Sequence, residues 1–256
     1  MNYLDAHNHL HDARLAPHRA EIFAELKRIG VSSAVVNGTR ESDWDAVTAL
    51  GFGKPSYGLH PWHVRDRTDR WPDTLREILV ADPRAAIGEI GLDRWVEGHD
   101  LAVQTPIFIA QLDLAAELRR PATIHCIRAW GALWEVLRER DLPAGFLLHA
   151  YGGPAEMVAG FVERGAYFSF STHFLHDRKA AQRDVFRHLP IDRVLIETDA
   201  PDLSPPEDRN PRSLPGGLNH PGNIDLAYAT LGDLRGLPAE QLERIVAENF
   251  ERLFGG

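Results

Sequence analysis

The feature that most constrains this chain is an alternation. Short runs rich in β-branched and aromatic residues recur eight times, each followed by a segment whose apolar residues fall at helical spacing. The runs predict strands at Tyr3 to His7, Ser33 to Asn37, Ser56 to Leu59, Ala85 to Ile90, Ala122 to His125, Phe146 to His149, Tyr167 to Ser171 and Val194 to Thr198. Between them, Arg19 to Ile29, a segment from Ser42, Trp71 to Val80, Leu101 to Leu118, Trp130 to Arg138, a segment ending near Arg164, and Lys179 to His188 read as helices. A Pro- and Gly-rich loop from Pro201 to Pro221 leads to two closing helices, Ile224 to Leu234 and Pro238 to Phe254. Strands that alternate with helices in this way specify a parallel sheet, and eight of them predict a single α/β unit, a (β/α)8 TIM barrel over residues 1–256.

Composition agrees and narrows the setting. Residues are 44% hydrophobic and 25% charged, enough apolar surface for one large core. No run of about 18 apolar residues suggests a membrane span, and Met1-Asn2-Tyr3 leads directly into Asp and His, without the pattern of a signal peptide. A single cysteine, Cys126, excludes an intrachain disulfide and fits a reducing cytoplasm. With 28 basic and 37 acidic residues the formal charge is −9, which opposes salt-driven binding along duplex DNA. Bound divalent cations would reverse that sign locally and admit one phosphate.

In such a barrel the reactive groups belong at the C-terminal ends of the strands. His7 and His9 end the first predicted strand, Glu89 the fourth, His125 the fifth and His149 the sixth, and Asp199 follows the eighth. His7 and His9 are two apart, so a strand points both imidazoles to one side. A His-x-His pair alone is also compatible with a solvated turn, and a lone strand-end histidine with a backbone hydrogen bond. Six such residues from five strands on one rim point to metal binding.

The ordered motifs Asp5-Ala6-His7-Asn8-His9-Leu10, Gly58-Leu59-His60-Pro61, Gly88-Glu89-Ile90-Gly91-Leu92-Asp93, Ile124-His125-Cys126, His149-Ala150-Tyr151-Gly152-Gly153 and Glu197-Thr198-Asp199-Ala200-Pro201 resemble those of the TatD family of metal-dependent hydrolases. The closing Asn249-Phe250-Glu251-Arg252-Leu253-Phe254 is similar to that family's ending, so the resemblance spans the chain. It implies two divalent cations (Mg, Mn or Zn), one held by His7, His9, Glu89 and Asp199 and the other by Glu89, His125 and His149, with Glu89 bridging. It also implies a phosphodiesterase, plausibly a DNase acting on DNA ends, with a nucleic-acid end or a small phosphodiester as substrate and no obligate protein partner. A related activity on the same centre, hydrolysis of a cyclic amide or lactone, is the alternative.

Glu89 and Asp199 are then the expected catalytic residues, with Asp199 either ligand alone or ligand and proton acceptor from the attacking water. His60 and His63 are expected to meet a substrate phosphate or to form a polar rim, and Arg128 to clamp the phosphate through its planar fork. The family more usually places its arginine directly after the His-Cys pair, whereas Ile127 intervenes here. Asp5 is either a support for a ligand or a solvated strand-start residue. His11, His99, His176 and His188 are expected at the surface. Trp62, Trp95 and Trp130 read either as core or as platforms for a base.

Overall fold

The computed structural model describes residues 2–255, so that residues 1 and 256 of the expected unit lie outside the described residues. Eight strands, β1 (Tyr3–Asn8), β2 (Val31–Asn37), β3 (Lys54–Tyr57), β4 (Ala86–Asp93), β5 (Ala122–Ile127), β6 (Phe146–Leu148), β7 (Ala166–Ser171) and β8 (Val194–Glu197), form one sheet in chain order. Neighbours pair in parallel, with Asp5 beside Ala34 and Gly91 beside His125. The sheet closes where β8 returns to β1: Asp199 N–H donates to the His7 carbonyl at 2.9 Å, and His9 N–H to that of Ala200 at 2.8 Å. The architecture is the (β/α)8 barrel predicted from the alternation.

Around it lie α1 (Arg19–Ile29), α2 (Trp44–Leu50), α3 (Trp71–Ala81), α4 (Leu101–Leu118), α5 (Trp130–Leu137), α6 (Val158–Glu163), α7 (Ala180–His188), α8 (Ile224–Arg235) and α9 (Ala239–Phe254). Local chemistry sets their limits. Helix α4 begins where the Asp100 carboxylate accepts from Ala102 N–H at 2.9 Å, and it stops at Arg119, whose backbone is left-handed at φ 53°. By length and hydropathy α4 could cross a bilayer. Here it lies against the barrel instead, burying Ile107, Phe108, Leu112 and Ala115. Each large side chain so buried contributes about 1.5–3 kcal/mol, and cutting Leu112 to Ala would cost about 2–5 kcal/mol.

Two glutamines on α4 explain where two strands end. Gln111 accepts from Leu59 N–H at 2.7 Å and donates to its carbonyl at 3.2 Å, so Leu59 leaves the ladder and β3 finishes earlier than its apolar run suggests. Gln104 treats Asp93 in the same way, at 2.8 and 3.0 Å. Strand β4 meanwhile runs three residues past the predicted Ile90, because Gly91 lets it press against β5. A Cβ at Gly91 would run into the His125 carbonyl.

The loop from 201 to 221 is itself structured. A short antiparallel pair, β9 (Ser213–Leu214) with β10 (Leu218–Asn219), sits within it. Asn219 Nδ2 donates to the Thr198 carbonyl at 2.8 Å, and Arg212 reaches Glu25 on α1 at 2.8 Å and Asp225 on α8 at 2.8 and 2.7 Å.

Candidate metal centre

The alternation of β1 places Asp5, His7 and His9 on one face. His7 Nε2 and His9 Nε2 come within 3.3 Å of each other, and Asp199 Oδ1 lies 3.2 and 3.3 Å from them. Asp199 reaches them from a left-handed backbone, φ 54°, held by its bond to the His7 carbonyl. His9 Nδ1 donates to the Asn37 carbonyl at 2.6 Å, which leaves the lone pair of Nε2 turned inward.

Strand β4 supplies the other half. Glu89 divides its two oxygens: Oε2 faces His7 Nε2 at 3.5 Å and His9 Nε2 at 3.3 Å, while Oε1 faces His125 Nδ1 at 3.0 Å and His149 Nε2 at 2.9 Å. Asp93, four residues on along the same strand, takes the far side of the His125 ring, Oδ2 to Nε2 at 2.8 Å. That bond places the proton on Nε2 and turns the Nδ1 lone pair toward Glu89. His149 has Glu197 Oε1 behind its Nδ1 at 3.5 Å, and Glu197 is fixed by Ser169 Oγ at 2.5 Å. The rings of His7 and His149 stack with centroids 4.0 Å apart, joining the two halves.

These donors suit cations. Burial alone would raise Glu89, yet the imidazoles of His60, His149 and His7 outweigh it and hold the carboxyl well below its usual range. Burial likewise opposes ionisation of Asp199, and His7 and His9 bring it down. Burial also works against charge on His9 and His149, but Asp199 and Glu89 raise the first and Glu89 and Glu197 the second well above the ordinary histidine range. Inward-facing lone pairs and two ionised carboxylates thus converge with an affinity for positive charge, and a divalent ion would take the place of those protons. Among the described residues, three overlapping groups have ligand atoms close enough to hold an ion: His7, His9 and Glu89; His7, His149 and Asp199; and His60, Glu89 and His125.

His60 differs from the rest. Its Nδ1 accepts from Trp62 N–H at 3.1 Å, so its proton sits on Nε2, which faces Glu89 Oε1 at 3.3 Å. Burial pushes its pKa down to about 4, favouring this neutral form, and Nε2 is a donor rather than a lone pair. His63 lies further out, its Nδ1 3.4 Å from Asp66. Arg128 is exposed just beyond β5, and among the described residues its guanidinium has no hydrogen bond or ion pair.

Other expectations are corrected or divided. His11 is buried, with Nε2 3.6 Å from Asp43, so it is not a surface residue, and His176 is half-buried; His99 and His188 are exposed. Asp5 is buried and accepts four hydrogen bonds, from His7 N–H at 3.2 Å, Asn8 Nδ2 at 3.0 Å, Thr198 N–H at 3.0 Å and Thr198 Oγ1 at 2.6 Å. It therefore ties β1 to the end of β8. His220 Nδ1 accepts from Gly222 N–H at 2.8 Å and so caps the start of the turn before α8. Sequence reasoning gave Asp93 and Glu197 no role, although both stand inside quoted motifs. The signal was spacing, because Asp93 shares the face of Glu89 and Glu197 that of Asp199.

Comparison with known proteins identifies the family and the fold. The family described as TatD related DNase matches residues 4–255. The chain is 30% identical over 253 residues to the "3'-5' ssDNA/RNA exonuclease TatD" of Erwinia tasmaniensis, covering 96% of each. It is also 30% identical over 200 residues to the "Uncharacterized metal-dependent hydrolase YcfH" of Escherichia coli K12, covering 78% of this chain and 72% of that one. Among solved structures, the TatD homologue YjjV of Escherichia coli superposes with a TM-score of 0.91 at 26% identity, covering 99% of this chain and 98% of the other. Fold, site and relatives together define a metal-dependent hydrolase built on a (β/α)8 barrel. The chain belongs to the TatD-related DNase family.

Proposed function

We propose that this chain is a divalent-metal-dependent phosphodiesterase that removes nucleotides from the ends of single-stranded nucleic acid, with the whole of residues 1–256 as one catalytic unit. The observation that carries the reading is the divided carboxylate of Glu89: Oε2 faces the nitrogens of His7 and His9, and Oε1 those of His125, His149 and His60, all within 3.5 Å. His7, His9, Asp199 and Glu89 Oε2 would hold one cation, and Glu89 Oε1, His125 and His149 the other. Two such cations would supply, when bound, an activated water and neutralise phosphate charge.

The remaining steps belong to side chains. Asp199 directs Oδ1 at His7 and His9, which leaves Oδ2 to accept the proton of the attacking water. His60 offers its Nε2–H to a phosphate oxygen, with the His63 ring 6.3 Å from its own, and Arg128 offers a planar pair of donors to the same group. The buried Cys126 thiol, which burial pushes far up, is a packing group; its reduced state fits a cytoplasmic setting.

The test is metal-loaded protein with Mg2+, Mn2+ or Zn2+ on end-labelled single-stranded DNA and RNA. A ladder of shortened products is expected, lost with chelator and with Glu89→Gln, and the labelled end that survives gives the direction. Metal analysis of the same samples is expected to fall from two ions toward one or none in Glu89→Gln. Intact nucleic acid in the presence of two bound ions, with turnover of cyclic amides or lactones, would overturn the reading.

A further inference from the structure

Among the described residues only three large apolar side chains are exposed, and two of them stand together: Trp62 is 45% and Trp95 56% exposed, with ring centroids 6.2 Å apart and planes tilted by 35°. Trp130, by contrast, is half-buried and packs edge-on against Tyr151 at 4.9 Å. The exposed pair is not loose. Asp93 accepts from Trp62 Nε1 at 2.9 Å and, through its other oxygen, from the backbone N–H of Trp95 at 2.5 Å and of Val96 at 3.1 Å. The same Asp93 holds His125, and the Trp62 ring lies 6.3 Å from the His125 ring and 5.0 Å from that of His60. Two further charges adjoin the pair. Arg94 and Arg128 directly follow Asp93 and Ile127, which are register partners on β4 and β5. Both are exposed, and among the described residues neither guanidinium has a partner.

We propose that Trp62 and Trp95 form a stacking platform for a nucleobase of single-stranded substrate beside the scissile phosphate, with Arg94 and Arg128 on the backbone. The proposal deepens the phosphodiesterase reading and rests on it. Aromatic faces bind any base, so the platform selects unpaired nucleotides without reading sequence. A base inside a duplex is stacked on its neighbours and cannot reach such rings. Because Asp93 fixes the Trp62 indole and the backbone from which Trp95 projects, much of the surface is formed before substrate arrives, and less ordering entropy is lost on binding. The overall charge of −9 keeps nucleic acid from most of the surface, so the two unpaired arginines at the mouth stand out as a local exception.

The experiment compares metal-loaded protein binding to a short single-stranded oligonucleotide with phosphorothioate linkages, and to the same oligonucleotide with abasic sites at its last two positions. Fluorescence anisotropy should show the base-bearing form binding about 5- to 100-fold more tightly. Trp95→Ala should shrink that ratio toward one, while Trp62→Phe, which keeps a ring, should preserve most of it. Equal binding of the two oligonucleotides by the natural protein, binding of neither, or an unchanged ratio in Trp95→Ala overturns the platform. Hydrolysis of the unmodified oligonucleotides is followed in parallel. Base preference without cleavage would leave the platform standing and remove the phosphodiesterase reading; cleavage without base preference would do the reverse.

Discussion

Asp93 grips His125 from behind, with Oδ2 2.8 Å from Nε2, while Glu89 Oε1 faces the opposite nitrogen of the same ring at 3.0 Å. The ring is thus set between a structural carboxylate and a proposed ligand carboxylate. Burial opposes charge on Asp93, but His125 and Trp62 hold its carboxyl far below the ordinary range, so it faces the ring ionised. Asp93→Asn keeps the shape but must turn its amide NH2 either toward His125 and Trp62 or toward the backbone N–H groups of Trp95 and Val96, all of which are donors. Metal affinity measured by isothermal titration is expected to fall about 10- to 100-fold at one of the two ions. An unchanged titration would reduce Asp93 to a packing role.

Arg128 sits at φ 56°, a left-handed backbone that Asn tolerates better than Ala, so Arg128→Asn separates the side chain from the fold. If the guanidinium meets the substrate phosphate, KM for an oligonucleotide should rise about 10-fold or more with kcat nearly unchanged. Arg128→Lys should recover only part of that loss, since an ammonium lacks the fork. Steady-state kinetics at fixed salt decide it.

Asp5 accepts from four donors, two of them on Thr198 at 3.0 and 2.6 Å. In Asp5→Asn one acceptor becomes a donor aimed at another donor. Urea unfolding is expected to show a loss of about 1–3 kcal/mol, with the same slope in denaturant. A variant as stable as the natural protein would mean that water can take up these four bonds.

Arg212 links the 201–221 loop to α1 and α8 through Glu25 and Asp225. Arg212→Ala should speed amide exchange and limited proteolysis within that loop, with the barrel strands unaffected. Glu25 is drawn down to about 2, first by Arg28 and then by Arg212. A lowered carboxyl stabilises the fold above its ordinary value of 4.5 and loses that effect as pH falls toward about 2. The stability gap between the natural protein and Arg212→Ala should therefore be widest above pH 4.5 and narrow below it, as read from unfolding curves at stepped pH.

The barrel was legible because short runs rich in β-branched and aromatic residues alternate with segments of helical apolar spacing, signals that depend on neighbours in sequence. The strand-end clustering of His7, His9, Glu89, His125, His149 and Asp199 was legible for the same reason. What escaped depends on contacts between distant elements. The reach of β4 to Asp93 follows from Gly91 yielding space to β5 and from Gln104 on α4, neither of which shows in the periodicity of β4. The burial of His11 follows from Asp43, which also accepts from Thr39, at the start of α2. The tautomer of His60 is set by the N–H of Trp62 two residues away, a matter of turn geometry that composition does not encode.

The closing seam of the barrel has a consequence for how the protein is made. His7 and His9 leave the ribosome first and Asp199 nearly two hundred residues later, yet the three meet across the join of β1 and β8, where Asp5 fastens Thr198. A nascent chain that has emerged only through β6 already carries Glu89 and His125, but the strand that completes the set is still being synthesised. On the proposed ligand set, hydrolytic competence is then a late event in translation, reached only when β8 docks against β1.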